Sequence, residues 1–147
     1  LSTHGKADDR VGDYAYLAFS SPSDKGVFEK LYARDLYNYS LNADMVVLSA
    51  CETGIGKLQK GEGIISLARA FAYTGAKSIF TTLWQVNDVK TKDLMIYFYQ
   101  ALREGKNKDE ALRNAKLRYL KNAKKTGQGL HPFFWAGFIG IGDMSAL

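Results

Sequence analysis

The sequence predicts an α/β fold: a mainly parallel sheet with helices on both faces. Three observations carry this reading. Short apolar runs alternate with longer segments of helical periodicity, the order expected of strands joined through helices. The clearest run, Met45 to Ser49, is apolar without polar alternation, as in a centre strand covered on both sides. Glycines also stand where the helical patterns stop, at Gly75 and Gly105. With 147 residues, 46% of them apolar, the chain can bury one core, and residues 1–147 read as one domain.

In chain order, Ser2, Thr3 and His4 read as the end of a strand cut short by the start of the sequence. Ala15 to Ser20 reads as a short strand before a Ser-Pro-Ser-Asp loop. Val27 to Tyr39 is the weakest pattern, helical from Ala33 onward, with aromatic residues that alternatively line a groove. Met45 to Ser49 then delivers Cys51 to the rim of the sheet. Gly63 to Thr74 is apolar nearly all round and predicts a buried helix, closed by Gly75 in the left-handed conformation. Lys77 to Leu83 resumes as a strand ending at Trp84. Asn87 or Asp88 can cap the next helix, on which Val89, Leu94, Met95, Phe98 and Leu102 recur at helical spacing. Asn107 followed by Glu110 forms a variant capping box opening a helix to about Lys125. Gly127 and Gly129 break the chain before a last strand near Ala136 to Ile141.

The net charge of +5 is concentrated in one place: Lys106 to Lys125 holds eight basic residues against two acids. Leu112, Ala115, Tyr119 and Ala123 repeat at helical spacing there, so the cations read as the opposite, solvated face, with Leu117 departing from the stripe. Binding of nucleic acid is the weaker alternative, because no recognised motif accompanies the basic helix. Apolar stretches fall short of the roughly 18 residues of a spanning helix and no charged-then-apolar leader opens the chain, so no membrane is expected. One cysteine excludes an internal disulfide, and two well separated histidines give no zinc-ligand spacing. The expected compartment is a reducing cytoplasm, and neither metal nor cofactor is expected.

An isolated cysteine is most often a small core hydrophobe. Cys51, however, follows the carboxyl end of a predicted strand, and His4 stands at another; reacting groups in open α/β sheets gather outside such ends. His4 precedes Cys51 by about 50 residues, the order and spacing known for caspases. Glycines after Cys51 suggest a phosphate loop, but Gly56-Lys57 is followed by Leu58 instead of Ser or Thr. Gln59 likewise stands where a dinucleotide fingerprint needs its third glycine. Gly54, Gly56, Gly61 and Gly63 read better as a hinged turn over the site.

Five ordered blocks carry a resemblance: Thr3-His4-Gly5, Leu48 to Gly54, Gly61-Glu62-Gly63, Leu83 to Asp88, and His131 to Ala136. Together they resemble the CHAT branch of the caspase-like cysteine peptidases, within the superfamily of caspases, separases and gingipains. The resemblance covers nearly the whole chain from His4. It implies a caspase-like three-layer sandwich whose N-terminal strands are missing, since such domains carry strands before the histidine and only Leu1, Ser2 and Thr3 precede it here. It also implies a cysteine endopeptidase that cleaves protein or peptide substrates. Its relatives often sit behind helical repeats that sense a partner and regulate the peptidase. The rival reading is a catalytically silent protein-interaction scaffold.

On this resemblance Cys51 is the nucleophile, His4 its base and acid, and the backbone N–H groups of Gly5 and Cys51 form the oxyanion hole. Ser49 matches a position that lines the first specificity pocket. Glu52 either orders the nucleophile turn, binds substrate, or sits as a carboxylate favouring the following helix dipole. Trp84 and Asp88 are candidates for the same substrate pocket, with helix capping the plainer role for Asp88. His131, before Pro132 and an aromatic run, reads as a packed loop histidine.

Overall fold

The computed structural model describes residues 4–6, 14–20, 28–48, 62–84, 86 and 88–147, with 4–6, 20, 62–66 and 88–90 described by backbone alone. Two three-stranded sheets and four helices make up the described part, a mixed α/β arrangement. The first sheet holds β1 (His4–Lys6), β2 (Tyr16–Ser20) and β3 (Phe28–Tyr32) in that spatial order, antiparallel throughout. The second holds β4 (Val46–Val47), β5 (Ser78–Thr82) and β6 (Phe138–Gly142), with β4 parallel and β6 antiparallel to the central β5. The helices are α1 (Ala33–Leu36), α2 (Glu62–Tyr73), α3 (Asp88–Arg103) and α4 (Lys108–Thr126).

Chain lengths between strands explain why this departs from a mainly parallel sheet. A parallel pair needs a crossover of a dozen or more residues, usually helical. The segments 7–15 and 21–27 are too short for one, so β1, β2 and β3 pair antiparallel. Between β4 and β5 the connection contains α2, and that pair is parallel. Between β5 and β6 lie two helices packed on each other. The first carries the chain away from the end of β5 and the second brings it back, so β6 starts where β5 ends and runs the other way.

Every residue of β5 is buried, and successive side chains of a strand point to opposite faces. Ile79 joins a cluster with Leu67, Ala68 and Phe71 of α2 and Leu36 of α1. Phe80, one residue on, joins the other cluster with Leu94 and Phe98 of α3 and Ala111, Ala115 and Tyr119 of α4. The Phe80 and Phe98 rings stand 4.7 Å apart between centroids, a tilted pair. Helices therefore cover both faces of the β4-β5-β6 sheet. Ala15 and Leu17 pack into the α2-side cluster with Phe19 and Leu31 beside them, so the first sheet shares that core; Leu17 and Leu31 are cross-strand partners.

The expected helix ends are present. After α2, Gly75 adopts φ +97° while its N–H bonds Ala72 O and the Ala76 N–H bonds Phe71 O, the paired bonds of a Schellman motif. Gly105 and Lys106 repeat this after α3, bonding Leu102 O and Ala101 O. Asn107 is the N-cap residue of α4, but its side chain makes no cap bond. The capping box does not form because Asp109 Oδ1 already accepts the Glu110 N–H at 2.8 Å, and a carboxylate is the stronger acceptor. The segment from Val27 divides into β3 and the single turn of α1 instead of one helix from Ala33 to Tyr39. Of Met45 to Ser49, two residues form β4, and the Leu48 N–H continues the ladder to Phe80 O.

The basic helix α4 is less solvated than its sequence implies. Lys108 is 2% exposed, and its Nζ donates to Asp143 O at 3.3 Å. Lys116 Nζ donates to Phe138 O at 2.8 Å and to Ala136 O at 3.5 Å. Two of the cations therefore tie the helix to β6 and its flanks. Among the described residues, no helix is long and apolar enough to cross a membrane.

Gly142 ends β6 at φ +98°, where an added Cβ would collide with Lys77 O. Gly142→Ala should cost at least about 1–2 kcal/mol of stability from the backbone conformation alone, read as a lower urea midpoint at unchanged m value. Asp44, whose carboxyl the Lys77 ammonium holds below its ordinary range by a 2.7 Å hydrogen bond and charge, gives a pH signature. A carboxyl whose pKa is depressed by folding stabilises above its unfolded value and loses that contribution as pH falls through its folded value. Asp44→Asn should therefore lower the thermal midpoint at neutral pH and converge on the parent protein in acid.

Candidate active-site rim

Parallel pairing of β4 and β5 puts their carboxyl ends at one edge of the sheet. From β4 the chain leaves through Leu48 toward Ser49, Cys51 and Glu52, which lie outside the described residues. From β5 it leaves through Leu83 and Trp84. Because β6 is antiparallel, its amino end reaches the same edge: Thr82 pairs with Phe138, and the Leu83 N–H donates to Gly137 O at 2.9 Å. This rim is where reacting groups gather in open α/β sheets.

Trp84 is the best-defined predicted residue there. Its indole N–H donates to Phe133 O at 2.8 Å, and its ring stacks on Phe133 at a centroid distance of 6.3 Å and 20° between planes. Behind it Gly137 has no side chain, and a Cβ there would approach the indole to 2.8 Å. The glycine makes the seat for the ring, and only part of Trp84 is left facing solvent. Whatever binds at this rim meets an indole already fixed in orientation.

The block His131 to Ala136 builds the other side of that seat. His131 caps a 3-10 turn, Pro132–Phe134, by accepting the Phe133 N–H at Nδ1 over 3.2 Å. The histidine is exposed instead of packed, and its role is to shape the turn that carries Phe133. Phe133 and Phe134 meet edge to face at 5.7 Å, and the Trp135 indole N–H reaches Leu130 O at 3.2 Å. Sequence reasoning quoted this block but assigned Phe133 and Phe134 no role at the rim. The Pro-Phe-Phe-Trp run after two loop glycines was the available signal, being too aromatic for an ordinary connection.

Asp88 begins α3 immediately beyond the rim, a place suited to a carboxylate because the helix N-terminus carries partial positive charge. His4 and Gly5 belong to β1, paired with Ala18 and Leu17 of β2. His4 is thus not the carboxyl end of its strand, which runs on to Lys6, and among the described residues β1 pairs in the first sheet and β4 in the second. The separation between His4 and Cys51 falls outside the described part.

These positions match a known family. A family model for the CHAT domain covers residues 1–143, and the chain belongs to that family. Among proteins of known sequence, it is 32% identical over 113 residues to Tetratricopeptide repeat protein 28 of Mus musculus, and to the same degree to its Homo sapiens counterpart. The match takes in 77% of this chain and 4% of each of those proteins, so the chain spans a small part of the relatives it resembles.

Trp84→Phe keeps the stacking but removes the donor to Phe133 O. It should cost about 1 kcal/mol and red-shift nothing at Trp135, the second tryptophan; denaturant titration and the residual Trp135 emission check both.

Proposed function

We propose that this CHAT domain is a caspase-like three-layer sandwich acting as a cysteine endopeptidase. Cys51 is the nucleophile, His4 the general base and acid, and the amides of Gly5 and Cys51 the oxyanion donors. The observation that carries this reading is the parallel β4–β5 pair. It sets the carboxyl end of β4, the last strand before Cys51 in sequence, at the edge where Trp84 is held, and it does so in a member of the CHAT family.

The chemistry follows from the residue types. A free thiol with a pKa of about 8.5 is mostly protonated at neutral pH, so an adjacent imidazole that takes its proton raises the thiolate fraction. The thiolate sulfur attacks the scissile carbonyl, a C–S bond forms, and the carbonyl oxygen becomes an anion. Each preorganised N–H donor there is worth about 3 kcal/mol of barrier. The imidazolium then protonates the leaving amine as the C–N bond breaks, leaving a thioester. Water, deprotonated by the same imidazole, hydrolyses it and restores the thiol. Glycine at position 5 lets the carbonyl approach the backbone closely. Ser49, Glu52, Trp84 and Asp88 would surround the substrate, with the fixed Trp84 indole an apolar wall.

The single domain spans residues 1–147 in this reading. The relatives are named for tetratricopeptide repeats, helix-turn-helix units that stack into partner-binding arrays. A repeat array in the same polypeptide or in a partner would control the peptidase. That naming also favours a second reading, a catalytically silent interaction scaffold, with the reducing cytoplasm as the compartment in either case.

An electrophilic peptide probe, such as an acyloxymethyl ketone, separates the two. Labelling at Cys51 that is lost in Cys51→Ala and falls at least about 100-fold in His4→Ala supports the dyad. Equal labelling of the His4 variant removes the dyad, and an unlabelled protein with a repeat-containing partner present leaves the scaffold.

A further inference from the structure

On the side of α4 away from α3, helix and β6 enclose a groove of about 480 Å³, open to solvent. Its walls are Leu112, Leu117, Leu120, Trp135 and Met144, with Gly140 of β6 at its floor. Leu117 is half exposed, an apolar side chain between Lys116 and Arg118 on a helix whose other outward positions are mostly charged. This is the residue that broke the amphipathic stripe in the sequence. Its place is explained by the groove, because it belongs to a second apolar face of α4, distinct from the Ala111, Ala115 and Tyr119 face turned to α3.

The charges around the groove are predominantly of one sign. Arg113 and Lys116 line it, and a single acid, Asp109, stands at one end. Lys116 is part-buried, and its hydrogen bonds go to the neutral carbonyls of Phe138 and Ala136. Burial alone lowers its pKa, with no carboxylate among the causes. A part-buried ammonium that forms no ion pair among the described residues, beside an apolar groove, is the setting in which an incoming carboxylate gains most.

We propose that this groove docks an acidic amphipathic helix of a partner protein, its apolar side chains against Leu117 and Trp135 and its carboxylates toward Arg113 and Lys116. A nineteen-residue helix such as α4 is about 28 Å long, enough to support several turns of a second helix laid along it. Mostly aliphatic walls suit leucine-like anchors at helical spacing better than bases or phosphates. The groove reaches toward the candidate rim at Trp135, which follows the turn carrying Phe133, and docking there does not require catalysis at the rim.

The test uses three fluorescein-labelled peptides of equal length, titrated by anisotropy. One has leucines at helical spacing with glutamates on its remaining positions, one is its scramble, and one replaces glutamate by lysine. The patterned acidic peptide should bind saturably and the scramble at least about tenfold more weakly. Leu117→Asp, a substitution at an exposed position, should weaken binding about tenfold or more with the thermal midpoint retained. Arg113→Glu should weaken the acidic peptide and improve the lysine peptide. Absence of binding by the patterned peptide, equal binding of the scramble, or indifference to Leu117→Asp would overturn the proposal. So would tighter binding of a poly-uridine oligonucleotide that falls steeply with salt and ignores Leu117→Asp, since α4 would then be a phosphate-binding face.

Discussion

The fold depends on β5 being a strand without an exposed side. Ile79 and Phe80, adjacent in sequence, anchor two separate clusters on opposite faces of the sheet. Its backbone pairs with β4 on one side and β6 on the other. Such a strand can be built only from side chains that all tolerate burial. Ser78 and Thr81 meet that condition despite their hydroxyls, and Ser78 Oγ is satisfied by Asp44 O at 2.7 Å. With β5 fixed, parallel β4 and antiparallel β6 have no choice about which of their ends reach the rim. The make-up of this rim is therefore a consequence of strand direction.

The parts of this that were legible in the sequence were those governed by local chemistry. The limits of α2, α3 and α4 follow from apolar periodicity and from glycines at Gly75, Gly105 and Gly127, and each of these glycines has positive φ. Strand pairing was legible only in part, because direction is set by what lies between strands. The short connections before β2 and β3 exclude parallel pairing, a constraint of chain length that hydrophobic pattern does not express. The strand β3 escaped notice because it edges its sheet: Glu29 and Lys30 are exposed and break alternation, as charged edge residues do.

At the candidate rim the sequence misjudges individual tasks. Trp84 is a pocket candidate in the sequence, and its indole N–H is already used by Phe133 O. Periodicity makes the cations of α4 mostly a solvated face, whereas Lys108 and Lys116 hold carbonyls at the two ends of β6. Periodicity assigns a residue to a helix face but says nothing about a neighbouring strand whose carbonyls lack partners. Long lysine side chains can reach such carbonyls while their methylenes stay packed. Two of the family blocks do meet in space, through Trp84 of one and Phe133 of the other, a pairing that periodicity does not express.

Gly137 gives the rim an unusual kind of adjustability. The Trp84 indole occupies the volume that a larger residue at 137 would claim, so a methyl group added behind the ring must displace it outward. The shape of the rim would then change through a position hidden beneath it, while every group on its surface keeps its identity.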